Sequence, residues 1–244
     1  GLGDVYKRQE CFDISNVSSN HIVGSMVRFV DGVPDNRSYR RYRVRTVESQ
    51  DDFASMAEVI RRRYARILQQ GARANPEVVD SQEGVVDAMR RLANEGRAPV
   101  TLPDLIIVDG GKGQLSSARK ELRRLGLHEL AVIGLAKRRE EIFREGEPEP
   151  LVLGHEVGAL KLLQRIRDEA HRCANNYNEL LFRKRMKESL LDDCPGISPK
   201  RKAALLARFG SVSRIRGKSA EEIAELPGIS LRSAEIMLQW LNRE

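Results

Sequence analysis

Sulfur is scarce in this chain. Its 244 residues include three cysteines, Cys11, Cys173 and Cys194, too few and too scattered for a disulfide framework or a CxxC metal site. A reducing compartment is the natural home of such a protein, and a cytoplasmic location is expected. No apolar run approaches the ~18 residues that a membrane span needs, and no signal-peptide pattern appears, so no membrane partner is expected. The GxxxxGK[ST] phosphate loop is also missing, which argues against nucleotide hydrolysis or a nucleotide cofactor. What remains is enough chain for one large domain or two smaller ones. Lys+Arg number 42 against 35 Asp+Glu, a net charge of +7 that favours a polyanionic partner.

The chain is organised around Leu105-Ile106-Ile107-Val108-Asp109-Gly110-Gly111-Lys112-Gly113-Gln114. Four apolar residues, three of them β-branched, predict a strand buried on both faces, as central parallel strands are. The run ends in a carboxylate and a glycine-rich turn, followed by a helical pattern from Gln114 to Leu125. Open α/β sheets keep their chemistry at that end of a strand. The same Asp109 would also suit a plain helix cap.

Residues 1–9 show no period and read as a foreign leader. Glu10 to Ser15, Ile22 to Val30 and Ser38 to Val47 read as three strands of an antiparallel meander. Asp51 and Asp52 open a helix with Phe53, Met56, Ala57, Ile60, Tyr64, Ile67 and Leu68 on one stripe. The polar stretch from Gly71 to Thr101 carries a weaker helical pattern around Val85, Val86, Met89 and Leu92. After the Leu105 strand and its helix come a short strand from Leu130 to Ala136 and a charged hairpin or loop from Arg138 to Leu153. A long helix from Val157 to about Lys187 closes the domain. This order predicts an α/β fold, a mixed sheet flanked by helices.

Beyond Lys187 the pattern changes. Cys194-Pro195-Gly196-Ile197-Ser198 and Leu226-Pro227-Gly228-Ile229-Ser230 lie 32 residues apart, each followed by a helical segment. Such a repeat reads as a duplicated helix–hairpin–helix, a small all-α domain over 189–244. Gly196 and Gly228 would let backbone N–H groups face a phosphate, and Lys200 and Arg232 stand at equivalent places beyond the hairpin serines. The basic runs Arg40-Arg41, Arg61-Arg62-Arg63, Lys137-Arg138-Arg139 and Arg183-Lys184-Arg185 are either solvated faces or parts of a nucleic-acid surface.

Asp13 and Asp109 each interrupt or end an apolar run, where an uncompensated charge costs several kcal/mol. If their strands are neighbours, a divalent cation such as Mg²⁺ or Mn²⁺ would relieve both burial and repulsion. Otherwise they are separate carboxylates held by backbone donors. His171 falls off the core stripe of its helix. It is a surface histidine or a third member of the site, a role Asp168 or Glu169 could take instead. Lys112 could contact phosphate as a point charge, or the glycines around it could simply make a tight turn.

Glu10-Cys11-Phe12-Asp13-Ile14-Ser15, Asp51-Asp52 with Arg61-Arg62-Arg63-Tyr64, Val108 to Gln114, Arg167-Asp168-Glu169-Ala170-His171 and the paired Pro-Gly-Ile hairpins together resemble the C-terminal half of the UvrC family, the bacterial excision-nuclease subunit. The resemblance implies an RNase H-like endonuclease domain over 10–188 and a tandem helix–hairpin–helix domain over 189–244. It implies a metal-dependent 5′ incision in damaged double-stranded DNA within nucleotide excision repair. The catalytic triad then falls on Asp13, Asp109 and His171, with Asp52 at a further acidic position important in the family. DNA contacts fall on Lys112, Gly196, Ile197, Ser198, Lys200, Gly228, Ile229, Ser230 and Arg232. The expected partner is a complex of UvrB with DNA. The family's GIY-YIG nuclease and UvrB-contacting segment are not in this sequence, so a 3′ incision is not expected. Ser198 and Ser230 stand where such hairpins often have a second glycine. Two other readings are a non-catalytic DNA-binding or scaffolding module, and an RNase H-like nuclease acting on RNA or branched DNA.

Overall fold

The computed structural model describes residues 7–18, 21–47, 51–75, 78, 83–97, 101–137 and 139–243. Arg138 and the side chains of Lys184 and Arg185, members of two basic runs, lie outside the described residues, as does the leader up to residue 6. The chain divides into two compact units between Asn178 and Glu179.

The first unit is a seven-stranded mixed sheet in the order β3-β2-β1-β5-β6-β7, with β4 also paired to β2. Strands β1 (Arg8–Ser18) and β2 (His21–Val30) run antiparallel, and β3 (Val33–Pro34) and β4 (Arg40–Arg43) pair with β2 in turn. Strand β5 (Leu105–Asp109) lies parallel to β1, and β6 (Ala131–Ala136) parallel to β5. Strand β7 (Glu141–Arg144) turns back antiparallel on β6, so the charged segment after Ala136 is a hairpin. The first strand starts earlier than its apolar run suggests. Arg8 and Gln9, expected as the end of a leader, belong to β1, and Gln9 is buried.

Side chains alternate between the faces of a strand, and here both faces are covered. Phe12, Met26, Ile106 and Val108 meet the helices α1 (Asp52–Ala74) and α3 (Lys112–Arg124), joined by α2 (Val85–Asn94) from the weakly patterned stretch. Cys11, Val27 and Ile107 meet Ile166, Ala170 and Cys173 of α4 (Gly158–Ser189). That double covering is why Leu105 to Val108 reads as an unbroken apolar run. Asp51 caps α1 by accepting from the Phe53 and Ala54 amides at 2.9 and 3.0 Å. Arg63, expected at the surface, is drawn inward by the buried carboxylate of Glu10, which also accepts from the Tyr64 hydroxyl at 3.0 Å.

The second unit is all-helical. Helices α5 (Pro199–Phe209), α6 (Val212–Arg216), α7 (Ala220–Ala224) and α8 (Leu231–Leu241) enclose Leu191, Leu205, Ile215, Ile223, Met237 and Leu241. By compactness this unit begins at Glu179, inside α4, while the sequence pattern changes beyond Lys187. No helix among the described residues is long and apolar enough to cross a membrane.

Candidate active site

Strands β1 and β5 run parallel with Phe12 opposite Val108, which brings Asp13, midway along β1, beside Asp109 at the C-terminal end of β5. His171 reaches them from α4, its Nδ1 lying 3.2 Å from Asp13 Oδ2. One ligand atom from each of the three residues falls within 4.8 Å of the others. The three residues are separated by 158 positions of sequence at the extremes, and the sheet closes that distance.

Burial and like charge dominate the electrostatics. Asp13 is 5% exposed, and its pKa is pushed up to about 8, first by desolvation and then by the Asp109 carboxylate. Asp109 is raised too, again chiefly by burial, with Arg167, His171 and Lys137 pulling it back. Two carboxyl groups that resist ionisation beside one another, with an imidazole half open to solvent, make a site that a cation would stabilise. The donor set of two carboxylates and one ring nitrogen suits a small divalent ion of the Mg²⁺ or Mn²⁺ kind.

Asp52 stands at the start of α1, outside the three-residue cluster. Its carboxylate accepts from Asn16 Nδ2 at 2.6 Å, and its charge helps raise Asp13. The flanking acids Asp168 and Glu169 do not join. Asp168 accepts from Arg167, and Glu169 pairs with Arg172. Lys112 is directed away, donating to the Pro148 carbonyl at 2.6 Å. The glycine turn serves packing at Gly113, where a Cβ would come 2.3 Å from the Phe53 ring.

Two residues near the site escaped the sequence reading. Arg167 is buried and holds Glu140 of the β6–β7 turn through both guanidinium nitrogens, while its charge also reaches Asp109. It precedes His171 by four residues, one turn along the same helix face, and that spacing was the available signal. Lys137, noticed only as part of a basic run, is the first residue beyond β6 and acts on both carboxylates.

In the second unit the two hairpins repeat closely. The Ile197 amide donates to the Cys194 carbonyl and the Ile229 amide to the Leu226 carbonyl, both at 3.2 Å. Gly196 and Gly228 take φ of 80° and 83° with open space where a Cβ would stand, so backbone conformation alone calls for glycine there. Ser198 and Ser230 cap α5 and α8 by accepting from the Arg201 and Ser233 amides. Ile229 is buried and Ile197 packs on the core, and both amides are taken up by the turns themselves, while Lys200 and Arg232 are exposed.

Residues 1–174 match the family model of the UvrC RNase H endonuclease domain, and residues 188–239 that of the SAM-like helix-hairpin-helix tandem. The stretch expected to be a foreign leader thus lies within the first match. Among curated relatives, the UvrABC system protein C of Thermobifida fusca is 43% identical over 242 residues, 99% of this chain and 36% of that protein. The protein of the same name from Symbiobacterium thermophilum is 46% identical over 229 residues, 93% of this chain and 36% of its own length. That of Gloeobacter violaceus is 42% identical over 247 residues, 100% and 35% of the two chains. The chain spans about a third of the length of these relatives.

Proposed function

The chain belongs to the UvrC family, and from that premise we propose that it hydrolyses a phosphodiester of damaged double-stranded DNA, making the 5′-side incision of nucleotide excision repair with a divalent metal. The observation that carries this reading is the convergence of Asp13, Asp109 and His171 within 4.8 Å, where the end of β5 lies beside the middle of β1.

Asp13 and Asp109 would hold Mg²⁺ or Mn²⁺ through one oxygen each, with His171 supplying the third donor or carrying a proton. When bound, the metal lowers the pKa of a coordinated water and offsets charge on the scissile phosphate. The protein's own contribution is positional. Strand register fixes the two carboxylates, and their burial keeps bulk water from satisfying them. His171 is 45% exposed, so its ring can exchange protons with solvent and with the leaving oxygen. Asp52 adds negative charge beside Asp13, and Lys137 adds a cation at the open side, where a phosphate oxygen would arrive. The two hairpins, with Gly196 and Gly228 at their tips, Ser198 and Ser230 at the following helix starts, and Lys200 and Arg232 beyond, would grip backbone phosphates without reading sequence. The working partner is a UvrB–DNA complex.

The test is nicking of a lesion-bearing duplex with Mn²⁺, with EDTA, and by Asp13→Ala. Cleavage is expected with Mn²⁺ only and is expected to vanish in Asp13→Ala, with DNA affinity kept within a few-fold. Cleavage that survives EDTA or the substitution would refute the assignment.

A further inference from the structure

Phe53 directly follows Asp52, and its side chain is 51% exposed. Met56, Ile60 and Tyr64, further along the same α1 stripe, are wholly buried. A phenylalanine ring half in water contributes little to a core. Its place is nevertheless well defined. The ring lies over Gly113, where an added Cβ would meet Cε1 at 2.3 Å and Cζ at 2.6 Å. Any side chain at 113 would displace it. The third glycine of the turn after Asp109 therefore acts as a floor for this ring.

Two segments tie the ring to the catalytic cluster. Gly113 lies four residues beyond Asp109, at the start of α3. Asp52, on the other side, accepts from Asn16, three residues beyond Asp13 on β1. The ring thus sits at the rim of the site, on the chain segments that emerge from both catalytic carboxylates, with half its surface open. The acidic cluster suits a cation and Lys137, which acts on both of its carboxylates, suits a phosphate, and neither role uses an aromatic ring.

On the nuclease reading above, we propose that Phe53 is a stacking platform for the nucleobase adjoining the scissile phosphate. Every base has a π face, so such a contact tolerates any sequence. An enzyme that cuts at damage wherever it lies needs a contact of that kind. Stacking on the ring requires that this base leave the duplex stack, so Phe53 would favour substrates whose strands are locally opened.

The experiment crosses two changes in the Mn²⁺ cleavage assay. Phe53→Leu keeps an apolar side chain over Gly113 and removes the π face. The DNA either keeps the base on each side of the cut or carries an abasic residue there. Base–aromatic stacking is worth about 1–3 kcal/mol, which sets the expected rise in KM at roughly 5- to 150-fold for Phe53→Leu on intact DNA. The same substitution should be silent on DNA abasic at the stacked position, and kcat should change little. Equal effects on intact and abasic DNA at both positions, or none on either, would overturn the proposal. Should Phe53→Leu fold poorly, Phe53→Trp decides. It should restore or tighten KM on intact DNA only, and a KM indifferent to the base would overturn the platform. Asp13→Asn serves as the control for the underlying reading. If it still cuts, the nuclease assignment fails. If it is inactive while Phe53 shows no dependence on the base, only the platform fails.

Discussion

Asp13 is the residue on which charge and burial weigh most. A carboxyl moved from 3.8 to about 8 makes the metal-free fold sensitive to pH in a definite direction. Below about pH 4 the group is protonated whether the chain is folded or not, and nothing is lost. Between about pH 4 and 8 the unfolded chain releases a proton that the folded chain retains, so stability falls as pH rises through that window. Each tenfold change in proton affinity is worth ~1.4 kcal/mol, so the loss is on the order of 2–5 kcal/mol after relaxation of the site. Thermal denaturation in EDTA from pH 5 to 8.5 is therefore expected to show a falling Tm, and Asp13→Asn should flatten that slope and raise Tm at the alkaline end. At pH 8, millimolar Mn²⁺ should raise the Tm of the unsubstituted chain and leave Asp13→Asn nearly unmoved. A pH-independent Tm in EDTA would contradict the buried pair. Arg167 poses the opposite case, a buried cation whose partner would be stranded. Replacing it with Gln leaves Glu140 without its counter-ion and takes positive charge from beside Asp109. Stability is expected to drop by about 3 kcal/mol in chemical denaturation.

Helix α4 sets where His171 stands, and hydrogen bonds to the sheet on either side of it set α4. Ser25, opposite Asp13 on β2, donates to the Ala170 carbonyl at 2.7 Å from a fully buried position. Two turns further along, Asn178 donates to Ser15 Oγ at 2.7 Å. The apolar stripe of α4 buries its face but permits sliding, whereas these two bonds fix its register against β2 and β1. Ser25→Ala is expected to cost about 1 kcal/mol and to lower kcat several-fold with KM unchanged, since only the imidazole shifts. A proportional change in KM, or no change in kcat, would show that the packing alone holds the histidine. This element also shows what the sequence could reveal. The stripe through Leu163, Ile166, Ala170 and Cys173 announced the helix and set His171 off its core, because periodicity is local. The bonds from Ser25 and Asn178 were invisible because they depend on which strands lie beneath. For the same reason Asp13 and Asp109 could be paired only conditionally. The adjacency of β1 and β5 is a long-range fact, and in a mixed sheet consecutive strands need not be neighbours. Lys112 has the local setting of a phosphate site, a glycine turn after a strand, but its bond to the Pro148 carbonyl depends on a segment 36 residues away that local pattern could not show.

Across the whole molecule the net charge of +7 favours a polyanion without fixing where it is held, and internal pairs such as Arg63–Glu10 and Arg167–Glu140 are neutral and leave that excess unchanged. Backbone geometry adds a located contact to that diffuse attraction, and the second unit repeats it, in hairpins whose turns match bond for bond. Both tips depend on a glycine with φ near 80°, a conformation that a β-branched residue adopts only at a cost of about 1–2 kcal/mol. Gly196→Val with Gly228→Val should distort both tips while leaving the nuclease sheet, which has its own buried core, unaltered. DNA affinity at moderate salt is expected to fall roughly tenfold, and the slope of log K against log salt should flatten because fewer phosphates are held. The stabilisation by Mn²⁺ at Asp13 should persist, since that site draws no residue from the hairpins. Titration of a fluorescent duplex at several salt concentrations measures the first two quantities, and melting with and without Mn²⁺ measures the third. Affinity and slope both unchanged would mean that the phosphates are held elsewhere. Loss of the Mn²⁺ effect along with affinity would mean that the substitutions had damaged the nuclease fold rather than a DNA contact.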